Sequence, residues 1–331
     1  METVIRNYLQ EARIGRKQGY KNLDVFPLMS GQTATLDYLI LDEAFSAGLI
    51  EITEVHEGGS VPQLKLVNKS PRRLLILDGE ELVGAKQNRI VNTTIIVEAN
   101  ATTVIPVSCV EAGRWSYKGE RFHSEERIMS AELRAMKSRQ VHDSIRASGE
   151  FRSNQQAIWQ GIDEKARRMD AVSPSMAMSE IYEKQVSSLR EYTTQFRLVK
   201  DQAGAIFAIN GRVVGMDSFG KPETFSKVFN KLVGSYALDA IDWLNPEKER
   251  KVEKAQVAAF LEGCKGARVE SRPSVGLGTD CRLESDGLTG FALVLDGQVL
   301  HLSTFARNGE GGQRRRVARM ERFSVRNKNR V

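Results

Sequence analysis

Leu74–Glu111 reads LLILDGEELVGAKQNRIVNTTIIVEANATTVIPVSCVE and sets the character of the chain around it. Apolar runs rich in Leu, Ile and Val frame a dense polar stretch of Asp78, Glu80, Glu81, Lys86, Gln87, Asn88, Arg89 and Asn92. The punctuation at Asn68-Lys69-Ser70-Pro71, Asp78-Gly79 and Ala99-Asn100-Ala101 predicts strands over 63–67, 73–77, 80–84, 89–97 and 103–108. Short strands repeating every ~8–12 residues suggest a sandwich-like or barrel-like unit. The polar stretch then has two readings. Either a rigid sheet holds a site there, or the charges form a satisfied ion-pair network or a solvated strand face.

Alternation along 80–84 puts Glu80 and Leu82 on one face and Glu81 and Val83 on the other. One glutamate therefore faces the core or a cleft and needs a partner, because an unpaired buried carboxylate is costly. The functional reading makes Glu80 and Glu81 candidate catalytic carboxylates, acting as general base or as ligands of a divalent metal. Lys86, Gln87, Asn88 and Arg89 offer directional hydrogen bonds to a ligand in a short span. The segment Ser108–Trp115, SCVEAGRW, adds Glu111, Arg114 and Trp115, with His123 downstream. An arginine beside an indole suits a planar, phosphorylated molecule such as a nucleotide, though a packed tryptophan with a surface ion pair gives the same sequence. Cys109 as a nucleophile with His123 as its base is a weaker alternative, since buried free cysteines are inert. The site reading expects these polar groups to converge on one cleft.

Outward from this block the period changes. Residues 124–200 carry helical spacing: Ile158, Trp159, Ile162, Ala166 and Met169 share a face. After a break at 170–174, where Ser173 or Ser175 is a candidate cap, one further helix is expected with Ile181, Leu189, Tyr192 and Phe196. Towards the N-terminus, LDEAFSAGL predicts a short helix stopped by Gly48, followed by a strand. Residues 205–219, AIFAINGRVVGMDSF, and 291–305, FALVLDGQVLHLSTF, look like copies of one hairpin, with Asn210-Gly211 and Asp296-Gly297 at the turns. Asp78-Gly79 suggests a third, looser copy. Between the two lie expected helices at 222–243 and 246–262, each with a proline at its first position and Asn245 as a cap. The fold class is thus α+β. It comprises a β-rich, sandwich-like N-terminal half (1–118), a helical middle (119–200) and C-terminal antiparallel hairpins packed on helices (201–306), followed by a basic tail (307–331). The two similar hairpins are expected as neighbours in one antiparallel sheet.

Several classes are disfavoured. Four scattered histidines and three cysteines without a CxxC pair argue against a zinc site or a disulfide framework and for a reducing cytoplasm. The apolar runs are too short for a membrane span, and METVIRNYLQEAR has no signal-peptide core. Ser274–Asp280, SVGLGTD, lacks the rest of a phosphate-binding loop and reads as a loop before a strand. The net charge of +6 belongs to the tail. Arg307–Val331 holds nine Arg or Lys against two Asp or Glu, leaving 39 basic and 40 acidic residues of the full 48 and 42 for the remainder. Such a tail is either a solubilising end or an arm making weak, non-specific, salt-dependent contact with nucleic acid or an acidic partner.

The block LLILDGEELVGAKQNRIVNTT, followed by PVSCVEAGRW, resembles a domain family of prokaryotic and viral proteins. The family is named for association with ADP-ribosylglycohydrolases and rhodanese/phosphatase-superfamily proteins, the ARPP domain. The resemblance covers roughly 20–306 and excludes the tail. It implies a bacterial-type protein in the neighbourhood of ADP-ribose, NAD or phosphate-ester chemistry, as a hydrolase or transferase or as a non-catalytic binding module. It assigns no residue roles, and it leaves the cofactor unspecified.

Overall fold

The computed structural model describes residues 1–307 apart from 32, 57, 118 and 246–250. In chain order, α1 (Glu2–Glu11) leads into β1 (Arg13–Ile14), β2 (Gln18–Tyr20), β3 (Leu23–Met29) and β4 (Tyr38–Ile40). Then come α2 (Leu41–Ser46), β5 (Ile50–Glu54), β6 (Gln63–Asn68), β7 (Arg73–Ile76), β8 (Glu80–Gly84), β9 (Arg89–Val91), β10 (Ile95–Val97), β11 (Thr102–Cys109) and β12 (Phe122–Ile128). The helical stretch holds α3 (Ala131–Ser148), α4 (Gln155–Arg168), α5 (Met178–Lys184) and α6 (Val186–Thr193). The last part is β13 (Gln202–Ile209), β14 (Arg212–Phe219), α7 (Pro222–Asp242), α8 (Lys254–Lys265), β15 (Arg268–Pro273), β16 (Thr279–Glu284), β17 (Leu288–Leu295) and β18 (Gln298–Ala306).

The two similar hairpins are neighbours in one antiparallel sheet of order β1-β3-β13-β14-β18-β17-β16-β15, with β2 beside β3. Their inner strands pair directly, Gly215 with Phe305 and Phe219 with His301. Asn210, Gly211, Asp296 and Gly297 all have φ between 50° and 72°, as a two-residue type I′ turn requires. Each hairpin also shifts register at the same place, between Phe207 and Ala208 in one and between Leu293 and Val294 in the other. Both faces of the sheet are covered. Phe207, Phe219, Phe291 and Phe305 belong to the core on the α7 side, while Ile206, Met216, Ala292 and Leu302 join residues of α1 and α8.

The N-terminal half is built from a three-stranded sheet, β10-β7-β4, and a six-stranded curled sheet, β12-β8-β9-β11-β6-β5. The two edges of the curled sheet meet at a bridge between Thr53 and Arg121, making a half-barrel around Ile52, Leu64, Leu66, Leu82, Val91, Ile105, Val107 and Phe122. The architecture is therefore mixed α+β with antiparallel C-terminal strands.

Several sequence expectations are corrected here. The run 89–97 is two strands, because Asn92-Thr93-Thr94 leaves the curled sheet: Thr93 turns to Asp280 and Thr94 to His301. Asp78-Gly79 is not a hairpin turn, since β7 and β8 belong to different sheets. The helical middle opens with a strand, β12, and β1 to β3 lie in the C-terminal sheet. Neither Ser173 nor Ser175 caps a helix; α5 starts after Ala177, and a break at Gln185 makes two helices where one was expected. The helix expected from 246 starts at Lys254, with Glu253 at its cap; Pro246 and the tail beyond Arg307 lie outside the described residues. Among the described residues no helix is long and apolar enough to cross a membrane.

Candidate functional site

Strand registers place the C-terminal ends of β5, β8 and β11 and the N-terminal ends of β6, β9 and β12 at one end of the curled sheet. Three connections emerge there, 55–62, 85–88 and 110–121. They carry Lys86, Gln87, Asn88, Glu111, Arg114 and Trp115, and Arg89 opens β9 beside them, so most of the expected site residues meet at this end.

The loop after β8 is tight. Gly84 has φ 135°, and a Cβ there would lie 2.5 Å from the Arg121 carbonyl oxygen; Ala85 takes φ 37°, unusual for a residue with a side chain. Arg114 holds this loop. Its Nη1 donates to the carbonyls of Ala85 (2.6 Å) and Ser116 (2.7 Å). Its Nη2 donates to Glu111 Oε2 (2.6 Å) and Asn88 Oδ1 (3.2 Å). Glu111 Oε2 also accepts from the Asn88 backbone N–H at 3.1 Å, and Gln87 Nε2 donates to the Glu111 carbonyl at 2.9 Å. Asn88, Glu111 and Arg114 thus form a buried frame that fixes the loop's shape.

Inside that frame the bonding is incomplete. Arg89 is fully buried, its Nη1 bonded to Gln87 Oε1 at 3.2 Å, and neither its Nε nor its Nη2 has a hydrogen-bond partner. Its nearest counter-charge is Glu54 Oε1 at 3.7 Å, and both oxygens of that buried carboxylate also lack a partner. Burial lowers the Arg89 guanidinium from its usual value. On the outside, Trp115 and Tyr117 are half-exposed. Lys86 Nζ sits 5.3 Å from the Trp115 ring centre and 5.1 Å from that of Tyr117, and the Arg89 guanidinium carbon lies 5.9 Å from the indole. Lys86 also donates to the Gly58 carbonyl at 2.9 Å. Glu54 escaped sequence reading; its signal was a lone carboxylate in phase with Ile50 and Ile52 along β5.

Glu80, Glu81 and His123 do not join this group. Glu80 forms a buried ion pair with Lys231 of α7, whose ammonium also meets Asp42 at 2.6 Å. Burial raises the Glu80 carboxyl, more than Lys231 lowers it, because two carboxylates share one ammonium. Glu81 is buried on the opposite face of β8, 3.8 Å from Arg127, with neither oxygen hydrogen-bonded, and burial pushes it to about 7. A metal shared by Glu80 and Glu81 has no geometric basis, since the two point to opposite faces. Among the described residues no group of three or more His, Cys, Asp or Glu is gathered to hold a metal ion. His123 is exposed and paired with Glu125 at 3.0 Å. The Cys109 thiol is buried, raised by that burial, and donates to Gln87 Oε1 at 3.1 Å, so the two are not a nucleophile and its base.

A second polar cluster, of which sequence reasoning had singled out only Asp78, lies between α3 and the hairpins. Arg134 of α3 donates to both oxygens of Asp217 on β14 at 3.1 and 2.6 Å. Tyr236 donates to Asp217 at 2.8 Å, and His301 lies 3.2 Å from it and 2.8 Å from Thr94. Lys137 pairs with Asp78 and donates to the Val91 and Asn92 carbonyls, both at 3.1 Å. Burial opposes ionisation of Asp217, but Arg134 and His301 outweigh it and hold the carboxyl well below the usual range. Burial brings Lys137 down to about 8. Every member is buried, and the cluster ties α3 and the turn before β8 to the two hairpins as an internal fastening. Its sequence signal was the single Asp and His inside the apolar hairpin strands.

The model of the ARG and Rhodanese-Phosphatase-superfamily-associated Protein domain matches residues 11–305, and the chain belongs to this family. None of the curated proteins and none of the solved structures compared with it matches.

Proposed function

We propose that the loop-bearing end of the curled sheet binds a nucleotide-like molecule of the ADP-ribose or NAD type, and that the protein acts as a binding module in that chemistry. The observation that carries this reading is the layering at that end. Half-exposed Trp115 and Tyr117 flank Lys86, and the Trp115 ring lies against a buried Arg89 whose Nε and Nη2 have no hydrogen-bond partner. A base stacks on the indole, and Lys86 meets the phosphate charge. The family's association with ADP-ribosylglycohydrolase and rhodanese-type proteins supports the same ligand class. Binding without turnover is favoured over hydrolysis because Glu80 and Glu81, the carboxylates first considered for catalysis, are engaged or buried elsewhere.

The test is a thermal-shift screen with ADP-ribose, NAD, AMP and divalent metals, followed by a turnover assay on each hit. Ligand at a hundredfold excess over Kd stabilises the native state by about 2.7 kcal/mol. An upward shift with ADP-ribose or AMP, lost in Trp115→Ala and without product formation, is expected. No shift with any of these ligands contradicts the proposal, and product formation converts it to an enzyme.

A further inference from the structure

The geometry points to Glu54 and Arg89 as the pair that reads the edge of the bound base, selecting a group that presents a hydrogen-bond donor beside an acceptor. This rests on the nucleotide-binding reading above and names what the buried part of that site recognises. Four polar atoms carry the argument: Glu54 Oε1 and Oε2 and Arg89 Nε and Nη2, all buried and all without a hydrogen-bond partner. Buried polar atoms are nearly always satisfied, so four orphans on two facing side chains mark a place where something polar belongs. The 3.7 Å separation is too long for a hydrogen bond between the two, although the charges attract. Of the neighbouring groups, Gln87 is committed to Arg89, Cys109 and the Glu111 carbonyl, and the two Arg114 Nη atoms to the loop carbonyls and Glu111, while Arg114 Nε is a further buried donor without a hydrogen-bond partner.

The chemistry of the pair narrows the ligand. A bare phosphate or carboxylate satisfies the arginine fork and at the same time meets the Glu54 charge, so an anion is disfavoured there. A lone amine satisfies Glu54 and leaves Arg89 unpaired. An amino group next to a ring nitrogen, as on adenine or cytosine, answers both: the amino group donates to Glu54 and the ring nitrogen accepts from Arg89. The Arg89 guanidinium carbon lies over the Trp115 ring, 5.9 Å from its centre, so a base that enters beside the indole presents its edge to this pair, and Lys86, 5.3 Å from the same ring centre, meets the phosphate.

The experiment compares AMP with purine riboside 5′-monophosphate, which keeps ring, ribose and phosphate and lacks the amino group. Both are titrated calorimetrically into the full chain, into Glu54→Gln and into Trp115→Ala. AMP is expected to bind about 10- to 100-fold more tightly, because loss of the amino donor leaves a buried carboxylate unpaired. In Glu54→Gln the ratio is expected to fall to about threefold or less; in Trp115→Ala both nucleotides weaken alike. Should Glu54→Gln fail to fold, the Arg89 Nε–H resonance of the wild-type chain replaces it, and is expected to shift with AMP more than with the analogue. Equal affinities for the two nucleotides, or a preference untouched by Glu54→Gln, overturn the edge-reading pair and leave nucleotide binding standing. Absence of binding by both removes the proposed function and this inference together.

Discussion

Glu81 is buried on the outer face of β8 with no hydrogen bond to either oxygen, and burial lifts its carboxyl from the ordinary 4.5 to about 7. A carboxyl raised in the folded state stabilises the fold fully only below its unfolded value. That contribution is lost as pH rises through about 7. A difference of this size corresponds to at most roughly 3 kcal/mol. Glu81→Gln is therefore expected to match the wild type in urea denaturation near pH 4.5 and to be more stable by about 1–3 kcal/mol at pH 8.5. A variant less stable at pH 8.5 indicates that Arg127 satisfies the charged form. Gly297 gives a second test at this scale. Its φ is 72°, and nothing lies within 4 Å of the position a Cβ would take, so Gly297→Ala isolates the backbone cost. A loss of about 1 kcal/mol is expected, read from the urea midpoint.

Among the elements, the paired hairpins were the most legible in the sequence. Asn210-Gly211 and Asp296-Gly297 state the turn type, and strands buried on both faces are mostly apolar, as the run FALVL at 291–295 of β17 is. The curled sheet was legible as a succession of strands, and its closure was not. The last strand, β12, reads Phe-His-Ser-Glu-Glu-Arg-Ile; only its two ends are buried, and a register shift with Glu126 at φ 54° interrupts it, so neither alternation nor apolar content announces a strand. The break at Asn92-Thr93-Thr94 was hidden for the opposite reason. Threonine favours strands, and the partners that pull it away, Asp280 and His301, lie far off in sequence. The candidate site follows the same logic. Lys86, Gln87, Asn88, Arg89, Glu111, Arg114 and Trp115 were singled out because they crowd two short stretches of sequence, and the sheet brings those stretches to one end. Glu54 was not, because it is the lone carboxylate on the buried face of its strand and meets Arg89 only through the curl.

For the whole molecule, the buried cluster around Asp217 joins three parts of the chain. Asp78 comes from the turn before β8, Arg134 and Lys137 from α3, and Asp217 and His301 from the two hairpins. Removing one member leaves a buried charge uncompensated, which costs about 3–5 kcal/mol. Arg134→Met is expected to lower stability by that amount, measured by urea denaturation. A loss below about 1 kcal/mol would show that solvent reaches Asp217 and that the cluster is not an internal fastening.

Hydrogen exchange read by mass spectrometry, with and without saturating ADP-ribose, tests the central claim most directly. The account predicts slowed exchange in the segments at the loop-bearing end, 55–62, 84–89 and 110–117, with the large sheet unchanged. Exchange unaltered in those segments, or slowed instead at the 470 Å³ groove lined by Arg212, Phe260 and Leu288, would contradict it.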